Sequence, residues 1–163
     1  MGNLQRKEFS KIKAQAEAFY LSVETVYCPA LQAEIHFSSE GFRHFQYDGK
    51  RVERTKNVQL ARMQCLQEAV AILKSTTTLQ EYRTVMQPIG KMDSQGMRQQ
   101  KHVTYYAFQA ITNLVMLRRI IVIVRRVNEG NLHFWSTMPA WKIESSPGAG
   151  AARSIGGGWM LEV

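Results

Sequence analysis

The sequence has few of the residues that build metal and disulfide sites. It contains only two cysteines, Cys28 and Cys65, and four histidines. The cysteines are far apart and lack the paired spacing of a zinc site. Cys65 falls on the apolar face of a predicted helix, so we expect a buried free thiol there. His36 and His44 alone do not make a metal site, and we predict no metal and no other cofactor.

Long hydrophobic runs are also absent. The longest, Ile120 to Val124, is far shorter than the roughly 20 residues needed to cross a bilayer. The segment Met1 to Lys13 is charged and lacks the apolar core of a signal peptide. We therefore predict a cytoplasmic protein with no membrane partner.

Several catalytic motifs are missing as well. There is no paired-carboxylate motif, no Cys–His signature and no glycine-rich loop between a strand and a helix. The run Gly156 to Gly158 lies in a predicted tail. These absences argue against phosphate-loop and cysteine-hydrolase chemistry.

Positive charge is what the sequence has in excess. Lys and Arg number 21 against 13 Asp and Glu, which gives a net charge of +8 and a pI near 9.7. Such a balance favours a polyanionic partner, either nucleic acid or an acidic protein. With 163 residues, the chain is long enough for one domain with tails.

Hydrophobic periodicity in the first half is mainly helical. Residues Phe9, Ile12, Ala16 and Phe19 recur at three- and four-residue steps, and Pro29 should end their helix. The patterns predict a helix over about 8–27, a strand over about 33–37, a short helix capped by Ser38 or Ser39, and a helix over about 56–74.

The second half has the period of strands. We predict strands over about 103–111, 118–127 and 132–138, with a hairpin turn at 128–131. Residues 75–87 are ambiguous, and 88–100 have the composition of a polar loop. The segment 144–163 is predicted to be a Gly-rich flexible tail.

Helices followed by an antiparallel meander predict an α+β fold, with the N-terminal helices packed on one face of the sheet. The expected organisation is an N-terminal amphipathic basic helix over 1–29, an α+β domain over 30–143, and the tail.

Histidines and hydroxyls cluster at two places, around 35–44 and around 133–137. RNA can be cleaved without a metal if a base takes the 2′-hydroxyl proton, an acid protonates the leaving oxygen, and cationic groups stabilise the phosphorane. His44 is our preferred histidine, although it could equally be a surface or capping residue. His133 should share a strand face with Trp135, opposite Ser136, but the sequence does not tell which face lines a site.

Arginines supply candidate phosphate contacts. Arg54 and Arg62 are spaced so that they would lie near one helix face, and Arg51 precedes them. The doublets beginning at Arg118 and Arg125 flank an apolar strand, where they either bind phosphate or solvate the strand ends. Aromatic side chains on the strands could stack on bases or belong to the core.

Two segments together resemble a known superfamily. They are Ile35-His36-Phe37 through Gly41-Phe42-Arg43-His44-Phe45, and Ile121-Val122-Ile123-Val124-Arg125 followed by His133-Phe134-Trp135-Ser136-Thr137-Met138-Pro139. They resemble the phage- and mobile-element-associated nuclease-like domains of the barnase–EndoU–colicin–RelE-like (BECR) superfamily, over about residues 30–142 of this chain. The resemblance implies a barnase/RelE-like α+β fold, with N-terminal helices packed on a four-stranded antiparallel sheet, and metal-independent RNA cleavage.

The resemblance also implies roles for particular residues. By position, His44 matches the histidine that acts as acid or base, Arg54 and Arg62 match phosphate-binding positions, and Ser136 matches a hydroxyl on the last strand. Tyr106 matches an aromatic position on an earlier strand.

The sequence therefore supports three hypotheses. The first is a toxin-like endoribonuclease that acts on RNA and is held by a neutralising, antitoxin- or immunity-like protein partner. Its catalytic residues would be His44, Arg54, Arg62 and Ser136, and its substrate-binding residues would be Arg51, Tyr106, Trp135, Arg118 and Arg125. The alternatives are a non-catalytic nucleic-acid-binding protein and a protein-interaction module that docks through its first helix.

Overall fold

The computed structural model describes residues 3–113 and 117–140, with side chains from residue 6. Its four helices are α1 (Asn3–Val23), α2 (Ser39–Gln46), α3 (Lys56–Gln64) and α4 (Leu66–Ser75). Its six strands are β1 (Thr25–Cys28), β2 (Ala33–His36), β3 (Glu81–Met92), β4 (Arg98–Thr112), β5 (Arg118–Val127) and β6 (Leu132–Pro139). The α+β class is confirmed.

The sheet differs from the predicted one. Its strand order is β1-β2-β6-β5-β4-β3, and β2 pairs with β6 in parallel while the other neighbours are antiparallel. The prediction of four antiparallel strands is therefore wrong in number and in direction. The parallel pair is short and joins segments distant in sequence, so no local pattern could reveal it.

The first helix is shorter than its periodicity predicts. α1 ends at Val23, because Glu24 adopts a left-handed backbone conformation with φ of 52°. The following strand β1 buries Val26 and Cys28 and exposes Tyr27. Val26 continues the helical spacing of α1, so the prediction of a helix to residue 27 was wrong at this end.

The predicted helix over 56–74 is two helices. Thr55 caps α3, and its side-chain oxygen accepts a hydrogen bond from the Val58 amide. The chain then bends at Cys65, which lies between α3 and α4 and is a buried free thiol, as predicted.

The predicted polar loop over 88–100 is mostly strand. β3 continues to Met92 and β4 begins at Arg98. The Asp93 carboxylate accepts hydrogen bonds from the amides of Gln95 and Met97, which closes the turn between them. β3 is an edge strand with largely exposed side chains, so it has no strict hydrophobic alternation to detect.

The main core lies between the helices and one face of the sheet. Tyr20 of α1, Phe45 of α2, Leu73 of α4 and Phe134 of β6 are almost completely buried in it. A Cβ atom on Gly41 would lie 2.3 Å from the Tyr20 hydroxyl and 2.5 Å from the Phe134 carbonyl oxygen. Residue 41 must therefore be glycine for α2 to lie this close to β6.

The opposite face of the sheet carries a smaller apolar cluster. Its buried members are Val103, Tyr105, Ala107, Ile121 and Ile123. Within the described ranges, no helical residue belongs to this cluster. This second face is the one on which the candidate site lies.

The described helices include none that is both long and apolar enough to span a membrane. The predicted tail over 144–163 lies outside the described residues.

Candidate functional site

Four neighbouring strands place a row of polar side chains across the sheet. Tyr105 of β4 pairs with Arg125 of β5, Arg125 pairs with His133 of β6, and His133 pairs with His36 of β2. Paired residues project from the same face, here the one opposite the helices. The rings of His36 and His133 are 5.8 Å apart, centroid to centroid. We call these four residues the histidine row.

A basic cleft of about 860 Å³ opens over this part of the sheet. Its charged or titratable lining residues are Arg51, Lys91, Arg98, Arg125, His133 and Glu40, and its aromatic lining residues are Tyr105 and Trp135. Glu40 is the one acidic side chain among the described residues that line it. A concave surface of this charge attracts anions and suits a phosphate backbone.

Arg125 is fixed at the floor of the cleft. Its guanidinium carbon lies 4.1 Å from the centre of the Trp135 ring, and Nη1 is 3.9 Å from the Glu40 carboxylate. The residue is only 8% exposed. Packing and charge therefore hold one guanidinium in a defined orientation beside His133.

Several buried nitrogen atoms around the cleft have no hydrogen-bond partner among the described residues. They are Nε of Arg98, Nε of Arg125, Nδ1 of His133 and Nε1 of Trp135. Buried N–H groups normally have partners. Phosphate oxygens accept hydrogen bonds from such groups, so the lining of the cleft has the chemistry to bind a phosphodiester.

The electrostatic environment favours a neutral His133. Burial lowers the pKa of His133 below its usual value, and the charges of His36 and Arg125 lower it further, while Glu40 acts in the opposite direction. A histidine with a lowered pKa has a free lone pair at neutral pH, which is the form that accepts a proton.

The four predicted catalytic residues meet elsewhere, in what we call the buried cluster: His44, Arg54, Arg62 and Ser136. Nη1 of Arg62 donates a hydrogen bond to Ser136 Oγ, and Nε of Arg54 donates to the His44 carbonyl oxygen at 3.4 Å. His44, Arg62 and Ser136 are 6%, 3% and 0% exposed. The structure brings the four residues of the sequence hypothesis close together, but it places three of them beneath the surface.

His44 lies behind the cleft, in contact with Trp135. The two ring centroids are 4.6 Å apart, and His44 does not line the cleft. Burial, followed by the charges of Arg54, Arg62 and Arg125, lowers the pKa of His44 to about 3 despite an opposing effect of Asp48. Neither ring nitrogen has a hydrogen-bond partner among the described residues.

The five predicted substrate-binding residues are divided between several places. Arg51, Trp135 and Arg125 line the basic cleft. Tyr106 lines a second pocket beside the β5–β6 turn. Arg118 lies at the other end of β5, where it forms an ion pair with Glu68 and donates to the Gln64 carbonyl oxygen. The contacts of Arg118 are thus those of a residue that joins β5 to the helices.

Sequence reasoning missed Arg98 and Lys91 because both fell in the predicted loop. It considered His133 and His36 without placing either in the site. β2 and β6 are neighbours in the sheet although they are far apart in the sequence, so residue spacing carried no signal for the histidine pair.

Among the described residues, no group of three or more His, Cys, Asp or Glu side chains is arranged to hold a metal ion. No protein-family model matches the chain, and no curated protein or solved structure shows significant similarity to it.

Proposed function

We propose that this protein binds RNA in the basic cleft and cleaves it without a metal ion. The observation that carries the proposal is the histidine row, in which two imidazoles and a fixed guanidinium lie side by side at an open, basic surface. Assignment to the BECR superfamily stays a prediction, because it rests on sequence segments alone.

The reaction assigned to this row is an internal transesterification. One histidine removes the proton of the 2′-hydroxyl, and the oxygen attacks the adjacent phosphorus. The bond to the 5′-oxygen breaks, and the second histidine donates a proton to this leaving group. The products are a 2′,3′-cyclic phosphate and a 5′-hydroxyl, and no external oxidant or reductant is needed.

The environment suggests which histidine takes each role. The lowered pKa of His133 suits it to act as the base. His36, on the neighbouring strand, would then supply the proton to the leaving oxygen. Arg125 lies next to His133 and would stabilise the negative charge that builds on the phosphorane.

The remaining cleft residues would hold the RNA backbone. Arg51 and Lys91 are exposed, and Arg98 is partly exposed, so all three can contact phosphates without rearrangement of the core. Binding of this kind weakens as salt is added, because neutralised phosphates release counterions.

The experiment is cleavage of a fluorescent single-stranded RNA by purified protein in EDTA. His133→Ala should slow the chemical step by roughly 10²–10⁴-fold, the usual contribution of a general acid or base. His102→Ala is the matched control, since His102 is an exposed histidine on β4 that lines neither cavity. A wild-type protein that binds but never cleaves, or a His133→Ala variant that cleaves like wild type, would overturn the proposed mechanism.

A non-catalytic RNA-binding function is the second candidate. The specific observation in its favour is that the unpartnered nitrogens of Arg98, Arg125 and Trp135 can bind phosphate without any proton transfer. In that case RNA binding would be sensitive to salt, and both His133→Ala and wild type would leave the RNA intact.

A further inference from the structure

A second cavity lies beside the β5–β6 turn, and we call it the turn pocket. It has a volume of about 450 Å³. The residues used below are Glu34, His36, Tyr106, Arg126 and Asn131, all of which line it. Its size falls within the roughly 300–1,000 Å³ that small-molecule sites occupy, so it can accommodate one nucleotide but not a duplex.

The turn pocket and the basic cleft meet at the histidine pair. His36 lines the turn pocket and His133 lines the basic cleft, and their ring centroids are 5.8 Å apart. Gly130 and Asn131 line both cavities. Tyr106 and Arg126 project from the face of the sheet opposite the histidine row, so an RNA chain that passes His133 and His36 would enter the turn pocket around the shared Gly130 and Asn131.

The lining of the turn pocket contains groups for each part of a nucleotide. Nε of Arg126 is buried and has no acceptor among the described residues, while Nη2 of the same residue pairs with Glu129. Tyr106 is half-buried and offers an aromatic ring. The Glu34 carboxylate is an acceptor, and every nucleobase carries at least one N–H donor.

We infer that the turn pocket binds the nucleotide next to the scissile phosphate, together with the phosphate that follows it. Arg126 contacts that further phosphate, Tyr106 stacks on the base, and Glu34 with Asn131 hydrogen-bonds the base edge. Because the base must be unpaired to enter, the substrate class is single-stranded RNA. This inference rests on the proposed function, since it takes the histidine pair as the site of cleavage.

The test compares a dinucleotide RNA, which has only the scissile phosphate, with a tetranucleotide that has further phosphates. Arg126→Gln should lower kcat/KM about tenfold for the tetranucleotide, the scale of one charge-assisted hydrogen bond, and leave the dinucleotide unaffected. Arg119→Gln is the matched control, because it removes the same charge from the same strand outside both cavities. Equal losses on both substrates, or no loss on the tetranucleotide, would overturn the inference.

A binding measurement separates this inference from the proposed function. Fluorescence anisotropy with 2′-deoxy dinucleotides and tetranucleotides, which cannot undergo the transesterification, reports the subsite whether or not the protein cleaves RNA. If wild type fails to cleave while Arg126→Gln still weakens tetranucleotide binding selectively, the proposed chemistry fails and the subsite stands. If cleavage occurs but Arg126→Gln binds both lengths like wild type, the subsite fails alone.

Discussion

The buried cluster and the histidine row use the same kinds of side chain in opposite surroundings. His44 lies with Arg54, Arg62 and Ser136 under the surface, whereas His133 lies with Arg125 at an open cleft. Trp135 contacts both His44 and Arg125, so it connects the two regions. The two regions share residue types and differ in exposure, and the open one is the region to which we assign the proposed reaction.

The two regions also differ in the electrostatic environment of their histidines. Three arginines surround a desolvated His44, and its pKa falls to about 3. At neutral pH this imidazole is uncharged, so it lacks the imidazolium proton that a general acid transfers. Its contact with Trp135 suits a positioning role, in which the buried cluster fixes the indole against which Arg125 is stacked.

The comparison is tested most strongly by cleavage kinetics. His133→Ala should lose roughly 10²–10⁴-fold in single-turnover rate, while His44→Phe, which preserves an aromatic ring beside Trp135, should cleave at the wild-type rate per folded molecule. Rates are measured in EDTA, and the folded fraction is taken from circular dichroism. If His44→Phe is the inactive variant, the roles of the two regions are reversed.

The next largest effect is on acid stability. The unfolded chain protonates His44 near pH 6.5, but the native protein does so only near pH 3, so the unfolded state binds more protons between these values. Lowering the pH through this window should therefore reduce the free energy of unfolding by at most about 1.4 kcal/mol per pH unit from this residue. Urea denaturation at several pH values should show a shallower acid dependence for His44→Phe than for wild type. Parallel curves would contradict a buried, neutral His44.

A smaller loss of stability is expected from Ser136→Ala. The change removes a buried acceptor of the Arg62 guanidinium, and with it a hydrogen bond to a charged group, and should lower the free energy of unfolding by about 1–3 kcal/mol. The control Ser22→Ala removes an exposed hydroxyl on α1 and should stay within about 0.5 kcal/mol of wild type. Both are measured by chemical denaturation. The cleavage rate of folded Ser136→Ala should equal that of wild type. A large loss of cleavage rate with normal stability would instead indicate that Ser136 acts in catalysis, as the sequence hypothesis predicts.

The smallest effect concerns a single phosphate contact. Arg51→Gln should weaken binding of a 2′-deoxy oligonucleotide a few-fold and reduce the salt slope by about 1. Arg43→Gln, which removes an exposed arginine of α2 outside the cleft, should leave both quantities unchanged. Fluorescence anisotropy over a salt series measures the two values. If the affinities of the two variants depend on salt in the same way, the oligonucleotide does not contact Arg51 in the basic cleft.

Elements with a strong local signal could be predicted from the sequence. Both ends of β5 were predicted correctly, because its continuous apolar run is covered on both faces of the sheet. β3 was missed since an exposed edge strand shows little hydrophobic alternation, and β1 was missed since Val26 continues the helical period of α1. The pairing of β2 with β6 depends on tertiary packing, and the strand propensities of the two segments carry no information about it.

The candidate site was predictable in its parts and not in its arrangement. Alternation along β6 placed His133 and Trp135 on one face and Ser136 on the other, as the contacts of these residues show. A bulge then leaves Trp135 without a paired residue on β5, since Val124 pairs with Phe134 and Ile123 with Ser136. The hydrophobic pattern of β6 does not reveal this bulge. The sequence therefore could not predict which histidine faces the open cleft.

The parallel junction of β2 with β6 has a consequence for protein synthesis. His36 and His133 are roughly a hundred residues apart in the chain, and this kind of contact forms only after a long loop has closed. A chain still emerging from the ribosome cannot assemble the pair until β6 has been made. The candidate site can therefore form only after synthesis has passed β6, roughly a hundred residues after His36 has been made.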